Sequence, residues 1–465
     1  MERPNVFILS IDSLRFDYFS DTQTQLAELT HGVEYTNAVS TATQTSSSMP
    51  ALATGAYTDE FEMWGLPESG EPEPLAEVLA NQGYASGLWT DNYLFGKEYN
   101  YDRGFSGGDL GEPTWKKKLS NAIRDGPASS LFPVAEWAYF NFYKRFLQLS
   151  GADENFYRSA NSLNSAALDW LSDQTDPTFC WIHYMDTHHP FEPPEEYLER
   201  YEFQTSRSRR DLSQLTRRVI KANGSGFSWE DIEDTRTAYK AACDYMGDKV
   251  VEFVESLIEQ GEYRPEKDIL VITADHGECL SPNRYKMMGH VPPAIWEEPV
   301  RVPLMISTPE WSRDTIDEQV SLIDVYDVVV ESVESQRNAN PSQTPPSPDT
   351  LATDVAYFVT EWEAPDADKV VTYRGIRRKD GKKLFGARYD GEDRTILADY
   401  DVDQMTDDIV FSSDGLESPD DPEIESDWKE LRDIAEERGP LIGDKGSLRN
   451  ELDRDHLRDL GYIDQ

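Results

Sequence analysis

The chain has 465 residues and carries 88 acidic against 44 basic side chains, a formal net charge of −44. Its 38% hydrophobic and 11% aromatic content suffices for one large domain and a smaller one, which excludes a disordered polyanion. So negative a protein is excluded as a general nucleic-acid binder, and as one held to an anionic membrane by bulk charge.

The charged residues and the cysteines also indicate where the protein works. Its basic side chains are 16 Lys and 28 Arg, a balance that, with the excess carboxylate, is typical of a salt-rich halophile cytoplasm. Cys180, Cys243 and Cys279 are odd in number and widely spaced, which favours reduced thiols. We find neither a signal peptide nor the run of about 18 apolar residues that spans a membrane. We therefore expect a cytoplasmic protein; the sequence does not indicate its oligomeric state.

Short apolar runs predict buried parallel strands, and helical patterns lie between them. The strands are predicted at Val6–Ile11, Ala85–Thr90, Thr178–Tyr184, Asp268–Ala274 and Pro303–Ser307. The helices are predicted at Pro74–Gly83, Asn161–Ser172 and Ser228–Gly261. This alternation predicts an α/β domain over residues 1–335, with a central, mostly parallel sheet flanked by helices. Residues 109–156 break the alternation and are predicted to form an insertion or cap.

The pattern changes after residues 336–350, a polar, proline-rich segment that we interpret as a linker or loop. Four short strands are then predicted at Val355–Trp362, Val371–Arg377, Lys383–Tyr389 and Arg394–Tyr400. Glycine-containing turns join the last three as hairpins, and the acidic helix Ile424–Arg438 follows. Residues 351–465 are therefore predicted to form a small C-terminal subdomain, an antiparallel sheet with a helix.

Polar residues stand where two of the predicted core strands end. Asp12 follows the first strand, and Asp275 and His276 follow the fourth. The carboxyl ends of parallel strands are where ligands bind in such sheets, and carboxylate and imidazole groups both bind divalent metals. A hydroxyl cluster beginning at Thr45 precedes a predicted helix, where free N–H groups attract an anion. Singly, each segment also fits a helix cap or a Ser/Thr-rich loop.

Together these segments resemble the sulfatase branch of the alkaline phosphatase superfamily, in the order the family has them and over nearly the whole chain. In that resemblance Asp12 matches a metal-binding aspartate, and Asp275 and His276 match the second metal motif. Thr45 stands nine residues before Thr54, which Gly55 follows, and so takes the nucleophile position. The resemblance implies an alkaline-phosphatase-like fold and an enzyme that hydrolyses phosphate or sulfate esters.

Two histidines are assigned to the substrate on the same basis, and one asparagine is a candidate because it follows a strand. His188 lies in the segment His183–Pro194, which resembles the family motif whose histidine contacts the substrate anion. His290 follows Gly289, as does the histidine that contacts the ester oxygen. The resemblance therefore implies that these two side chains stabilise the transferring oxygens and protonate the leaving group. Asn92, just after a predicted strand, is a candidate for holding the anion. A lone histidine can equally be a structural residue.

The nucleophile segment departs from the family motif. Sulfatases that carry formylglycine make it from Cys or Ser, with a Pro and an Arg in the motif; here Thr45 stands first, and Ser47 and Met49 replace Pro and Arg. No formylglycine is therefore expected, and Thr45 would act as a metal-activated alkoxide, which favours phosphorus esters over sulfate esters. A shifted loop register would put Ser46, Ser47 or Ser48 in its place.

The resemblance implies a metal-dependent site. We expect one divalent ion, held by Asp12, Thr45, Asp275 and His276. A single nitrogen among oxygen ligands favours magnesium, manganese or calcium over zinc. The second-ion motif of the two-zinc relatives needs a histidine where this chain has Pro190, so one ion is predicted.

The leading hypothesis is therefore a hydrolase of small anionic esters, which could be linked to a sugar or a lipid. One alternative is a phosphoglycerol or phosphoethanolamine transferase of the same fold, although the known ones also carry membrane spans. The other alternative is a binding protein that keeps the fold without catalysis, and the retained Asp12, Thr45, Asp275 and His276 argue against it.

Overall fold

A computed structural model describes residues 3–61, 64–109, 156–201, 203, 207–285, 287–290, 295–337, 347–363, 370–389, 392–414 and 418–445. Nearly all of the predicted insertion or cap at 109–156, and most of the predicted linker at 336–350, lie outside these ranges. Within these ranges no helix is long and apolar enough to cross a membrane.

Nine strands of the described residues form one mixed sheet. They are β1 Val6–Ile11, β2 Val33–Val39, β3 Ala85–Thr90, β4 Gly107–Asp109, β5 Thr178–Tyr184, β6 Ile269–Ala274, β7 Arg301–Ser307, β8 Asp314–Ile316 and β9 Val320–Ser321. The sheet order is β4-β3-β5-β1-β6-β7-β2-β8, and β9 pairs with β2. The predicted α/β fold is confirmed. Each of the five predicted core strands begins within two residues of the expected position and ends at it.

One strand runs in the other direction from the prediction. β7 pairs antiparallel with β6 and with β2, although its sequence was read as a parallel strand. All seven residues of β7 are buried. A strand buried on both faces has a continuous apolar sequence whichever way it runs, so its composition does not reveal its direction.

Helices cover the sheet. In the described residues they span Ser20–Thr30, Thr45–Thr54, Leu75–Asn81, Ala160–Leu171, Glu195–Glu199, Arg209–Lys221, Trp229–Gln260, Pro282–Tyr285, Glu297–Val300, Val325–Arg337 and Pro422–Glu436. The longest begins at a capping box, in which the hydroxyl of Ser228 accepts from Asp231 N at 3.2 Å. It ends at Gly261, whose φ of 76° stops the helix in the left-handed region.

Strand register brings the polar strand ends together. β1 lies between β5 and β6, parallel to both, and Ile11 pairs with Tyr184 on one side and with Ala274 on the other. The next residues along β1 and β6 are Asp12 and Asp275, so their side chains emerge next to each other at the carboxyl edge. This edge is where ligands bind in open α/β sheets.

A second, antiparallel sheet follows in the C-terminal part. Its strands are β10 Val355–Glu363, β11 Val370–Arg378, β12 Lys382–Tyr389, β13 Glu392–Asp401, β14 Thr406–Asp414 and β15 Ile442–Lys445. Trp428 and Leu431 of the last described helix are buried against this sheet. β10 also reaches the carboxyl edge of the first sheet, because Glu361 N donates to Ser47 Oγ at 3.1 Å. The predicted sheet and helix are therefore confirmed.

Four buried charges join the two sheets. Glu297, at the start of a short helix before β7, lies 2.5 Å from Lys383 Nζ and accepts two hydrogen bonds of 3.0 Å from Arg377. Lys383 Nζ also lies 2.8 Å from Asp407. The two cations offset the burial that would raise the pKa of Glu297 and lower it instead. The two carboxylates and two cations of the cluster balance each other. Removing any one of them would leave a buried charge without its full complement of partners.

Removing one member should therefore be costly. We expect Lys383→Met to lower the free energy of unfolding by about 3 kcal/mol or more, because it leaves the buried carboxylate of Asp407 without its cation and Glu297 with Arg377 alone. The neighbouring Lys382 pairs with Asp399 at the surface, and Lys382→Met should cost less than about 1 kcal/mol. Urea unfolding of both variants measures the difference. Equal losses in the two variants would contradict a stabilising role for the cluster.

Candidate active site

Two aspartates and two histidines surround one point at the carboxyl edge of the central sheet. Asp12, Asp275, His183 and His276 are all fully buried. One ligand atom from each of Asp12, His183 and Asp275 lies within 4.8 Å of the others. His276 Nε2 lies 3.9 Å from Asp12 Oδ1 and 3.6 Å from Asp275 Oδ2. The structure thus brings together Asp12, Asp275 and His276 of the four predicted metal ligands, with His183 beside them; the fourth, Thr45, is described below.

The hydrogen bonds around His276 set its tautomer. Its Nδ1 donates to the carbonyl oxygen of Gly277 at 2.8 Å, so Nε2 carries the lone pair. That lone pair faces two carboxylates, and neither Nε2 nor Asp275 Oδ2 has a hydrogen-bond partner among the described residues. Buried acceptors that face one another without a proton between them fit a cation. The donor set therefore suits the divalent metal that the sequence predicted.

The carboxylates of Asp12 and Asp275 repel each other, and a bound cation would offset that repulsion. Burial and the nearby charge of Asp12 raise the pKa of Asp275. Burial also favours the neutral form of Asp12, but His188 and the other surrounding histidines outweigh it and hold the pKa of that carboxyl well below its usual value. Two adjacent buried carboxylates cannot both ionise cheaply without a positive charge between them.

Thr45 is the first residue of a fully buried helix and points at the same centre. Its Oγ1 donates to Asp12 Oδ2 at 3.1 Å. Asn92 donates from Nδ2 to Asp12 Oδ2 at 2.8 Å, and its Nδ2 lies 3.4 Å from Thr45 Oγ1. The amide of Asn92 is fixed in turn, since its oxygen accepts from Leu94 N at 2.9 Å. Thr45 and Asn92 therefore both lie beside Asp12 at the carboxyl edge of the sheet.

The serines that follow Thr45 are placed differently. The hydroxyl of Ser47 accepts from Glu361 N on β10. The hydroxyl of Ser48 is buried and has no hydrogen-bond partner in the described part of the chain. Among these residues the structure records a hydrogen bond to Asp12 for Thr45, so the geometry favours the unshifted register.

His188 and His290 lie next to each other, on the side of the site that His276 borders. Their ring centroids are 5.4 Å apart, and the ring of His290 lies 4.4 Å from that of His276. Tyr157 contacts His188 Nδ1 at 3.2 Å, and Glu278 contacts His290 Nδ1 at 3.2 Å. Burial lowers the pKa values of His188 and His290 to about 4 and raises that of Glu278 to about 8. Both imidazoles are therefore neutral near pH 7.

Sequence reasoning missed two histidines at this edge. His183 is the second-last residue of β5 and pairs with Ser10 of β1, so its side chain reaches Asp12 Oδ2 at 3.5 Å. His189 stacks on His188 with ring centroids 4.3 Å apart. Knowledge that β5 neighbours β1 would have revealed His183, and its position near a strand end was the available signal.

A basic helix borders the histidines. Arg209–Lys221 carries five basic residues and one acidic residue, in a chain with twice as many acidic as basic side chains. The charges of Lys221 and Arg217 contribute, after burial and the neighbouring histidines, to lowering the pKa of His189. This helix therefore gives the site a locally positive border that favours an anionic ligand.

The family comparison agrees with this geometry. The model of the family described as Sulfatase matches residues 4–333, which is most of the chain. The chain belongs to the sulfatase family. The family lies within the alkaline-phosphatase-like superfamily, and its members are hydrolases of sulfate or phosphate esters, which confirms the predicted enzyme class.

Three proteins that this chain resembles are distant from it in sequence. The uncharacterized sulfatase YidJ of Escherichia coli (strain K12) is 21% identical over 360 residues, covering 70% of this chain and 67% of YidJ. The phosphonate monoester hydrolase of Agrobacterium radiobacter matches 87% of this chain and 90% of its own, at 17% identity and a TM-score of 0.57. BT4656, solved with its substrate D-glucosamine-2-N,6-O-disulfate, matches 94% of this chain and 97% of its own, at 14% identity and a TM-score of 0.63. These structures show the shared fold.

Proposed function

We propose that this sulfatase-family hydrolase cleaves phosphorus esters with Thr45 as the nucleophile and a divalent metal at Asp12, Asp275 and His276. The observation that carries the proposal is the hydrogen bond of 3.1 Å from Thr45 Oγ1 to Asp12, beside acceptors that face one another. A metal bound there would lower the pKa of the hydroxyl and neutralise charge on the transferring oxygens. His183 contributes an additional nitrogen at 3.5 Å from Asp12.

The residues suit a two-step displacement. Thr45 Oγ1 gives up its proton to solvent and attacks phosphorus, and the bond to the leaving oxygen breaks. That oxygen takes up a proton from solvent, and the phosphoryl or phosphonyl group stays on Thr45. Water then cleaves that ester and regenerates the hydroxyl. The amide oxygen of Asn92 accepts a hydrogen bond from Leu94 N, and its Nδ2 donates to Asp12, which holds Asp12 in position beside Thr45. Thr45 begins a helix, so the free N–H groups of the first turn face the anion.

The threonine supports phosphorus over sulfur as the reacting atom. The resemblance to formylglycine sulfatases ends at this residue and at Ser47 and Met49, which replace the motif residues needed to make the aldehyde. The hydroxyl of Thr45 instead matches the alkoxide chemistry of the phosphoester branch. A neighbour of the same fold is a phosphonate monoester hydrolase, which is consistent with this choice.

A substrate panel tests the proposal. We would assay nitrophenyl phosphate, bis-nitrophenyl phosphate, nitrophenyl phenylphosphonate and nitrophenyl sulfate with manganese present, in high KCl. The expected result is faster turnover of at least one phosphorus ester than of the sulfate. Faster turnover of the sulfate, or turnover that a chelator does not reduce, would contradict the proposal.

The metal affinity should depend on pH. Because burial and Asp12 raise the pKa of Asp275, protons compete with the metal for this carboxylate well into the neutral range. The affinity for manganese should fall as the pH falls, by about tenfold per pH unit once the carboxyl of the metal-free protein is protonated. The pKa of His276 is lowered to about 4 by burial and the neighbouring His290, so His276 does not compete there. Titration calorimetry between about pH 9 and pH 6 measures this, and an affinity that rises on acidification would contradict it.

A further inference from the structure

A basic helix lies beside the site of this strongly acidic protein. Arg209–Lys221 holds five basic residues and one acidic residue, whereas the whole chain carries a net charge of −44. The helix dipole favours the cations of its last turn, Arg218 and Lys221, but opposes Arg209 and Arg210 in its first turn. Helix stability alone therefore does not account for this concentration of positive charge.

One face of this helix packs on the segments that carry the site histidines. Thr216 Oγ1 accepts a hydrogen bond from Phe191 N at 3.1 Å, just beyond the stacked histidines. Ile220 lies against Gly289, where an added Cβ would be 3.0 Å from Ile220 Cγ2, and Gly289 directly precedes His290. The helix therefore forms a wall of the site.

Two cations border that packed face. Arg217 and Lys221 each directly follow a residue of the packed face, so they lie about 100° round the helix from it. The buried apolar residues Leu215 and Val219 lie on the other side of the packed face. Lys221 is exposed and Arg217 is half-buried. These two cations, one helical turn apart, therefore stand at the rim where the site meets solvent.

Arg217 is linked to the site through two aromatic residues. Its guanidinium carbon lies 5.3 Å from the ring centroid of Phe156, and that ring lies 4.8 Å from the ring of Tyr157. The hydroxyl of Tyr157 in turn contacts His188 Nδ1 at 3.2 Å. A cation stacked on this aromatic pair has a fixed position relative to a bound substrate, as selective recognition of a second group requires.

We propose that Arg217 and Lys221 bind a second anionic group of the substrate, so that the enzyme prefers esters carrying a further phosphate, sulfate or carboxylate. Guanidinium and ammonium groups form charge-assisted hydrogen bonds with such anions. The inference rests on the proposed function, which places the reacting ester at Asp12 and Thr45. The net charge of −44 repels a multiply charged substrate, and the two cations offset that repulsion at the rim of the site.

Binding of matched phosphonates tests the proposal without turnover. Phosphonoacetate, phosphonopropionate, phosphonobutyrate and phosphonohexanoate are each compared with the alkylphosphonate of the same chain length, by titration calorimetry on the manganese-loaded full chain in molar KCl. The two members of each pair differ by one anionic group. At least one phosphonoalkanoate should bind about tenfold more tightly than its matched alkylphosphonate.

Variants assign this preference to the two cations. In the double variant Arg217→Gln, Lys221→Gln the two affinities should come within about twofold of each other. Arg217→Lys keeps the charge and should retain most of the preference. The control double variant Arg313→Gln, Lys379→Gln removes the same two charges from surface ion pairs and should keep the preference.

Two results would overturn the proposal. One is that no phosphonoalkanoate binds more than about threefold more tightly than its matched alkylphosphonate. The other is an undiminished preference in the folded double variant Arg217→Gln, Lys221→Gln. Because binding is measured without turnover, a wrong nucleophile or a faster turnover of sulfate esters would leave these results unchanged, so the two proposals fail on different measurements.

Discussion

Replacing Thr45 by valine is expected to lower kcat/KM on the best phosphorus ester by about 10³-fold or more. Valine keeps the shape of threonine but has no hydroxyl, so the helix that Thr45 begins should still form. The hydrogen bond to Asp12 is lost with the hydroxyl. Steady-state kinetics at saturating manganese measure the effect, and circular dichroism shows whether the fold is kept.

Three further variants make that result specific. Thr45→Ser keeps a hydroxyl and should retain activity within about tenfold of the unaltered enzyme. Ser46→Ala and Ser48→Ala remove the neighbouring hydroxyls and should leave kcat/KM nearly unchanged. If Thr45→Val were active and Ser46→Ala or Ser48→Ala inactive, the nucleophile would be a serine, and the loop register assigned here would be wrong.

Replacing Asp275 by asparagine is expected to weaken manganese binding by at least about 100-fold. The carboxylate oxygen that faces His276 Nε2 at 3.6 Å becomes part of a neutral amide. Activity on phosphorus esters should fall in parallel, because the hydroxyl of Thr45 would then lose the cation that activates it. Titration calorimetry and kinetics on the same preparation measure both losses.

The other end of the same strand offers a matched control. Asp268 is also fully buried and lies just before β6, where it accepts hydrogen bonds from Asn5 N and from Arg264. Asp268→Asn should destabilise the fold without changing manganese affinity, because the residue is a whole strand away from the site. Equal losses of metal affinity in the two variants would show that Asp275 acts through stability alone.

Much of the fold followed from local sequence patterns. The strands β1, β3 and β5 span the predicted residues, because each is a short run, buried along all or all but one of its residues, that no helix period fits. Six strands were missed, among them β2, which mixes Glu34, Thr36 and Asn37 with apolar residues, and the acidic β14. The other four are the short strands β4, β8, β9 and β15. Polar side chains in a strand form hydrogen bonds with residues far away in the chain, and a single sequence does not show those partners. The carboxylate of Glu34, for example, accepts hydrogen bonds from the hydroxyls of Thr24 and Thr315.

The site followed from sequence only where a residue stands next to a strand end or in a motif. Asp12 and Asp275 were found in this way. His183 and His189 were not, because their positions beside the site depend on strand order and on the stacking of neighbouring rings.

The most direct measurement is the identity of the covalent intermediate. The enzyme is mixed with a phosphonate or phosphate ester, quenched in acid during turnover, digested and analysed by peptide mass spectrometry. The proposed function predicts a peptide in which unmodified Thr45 gains one phosphonyl or phosphoryl group, and no such adduct in Thr45→Val. An adduct on Ser46, Ser47 or Ser48, or an aldehyde in this peptide, would contradict it.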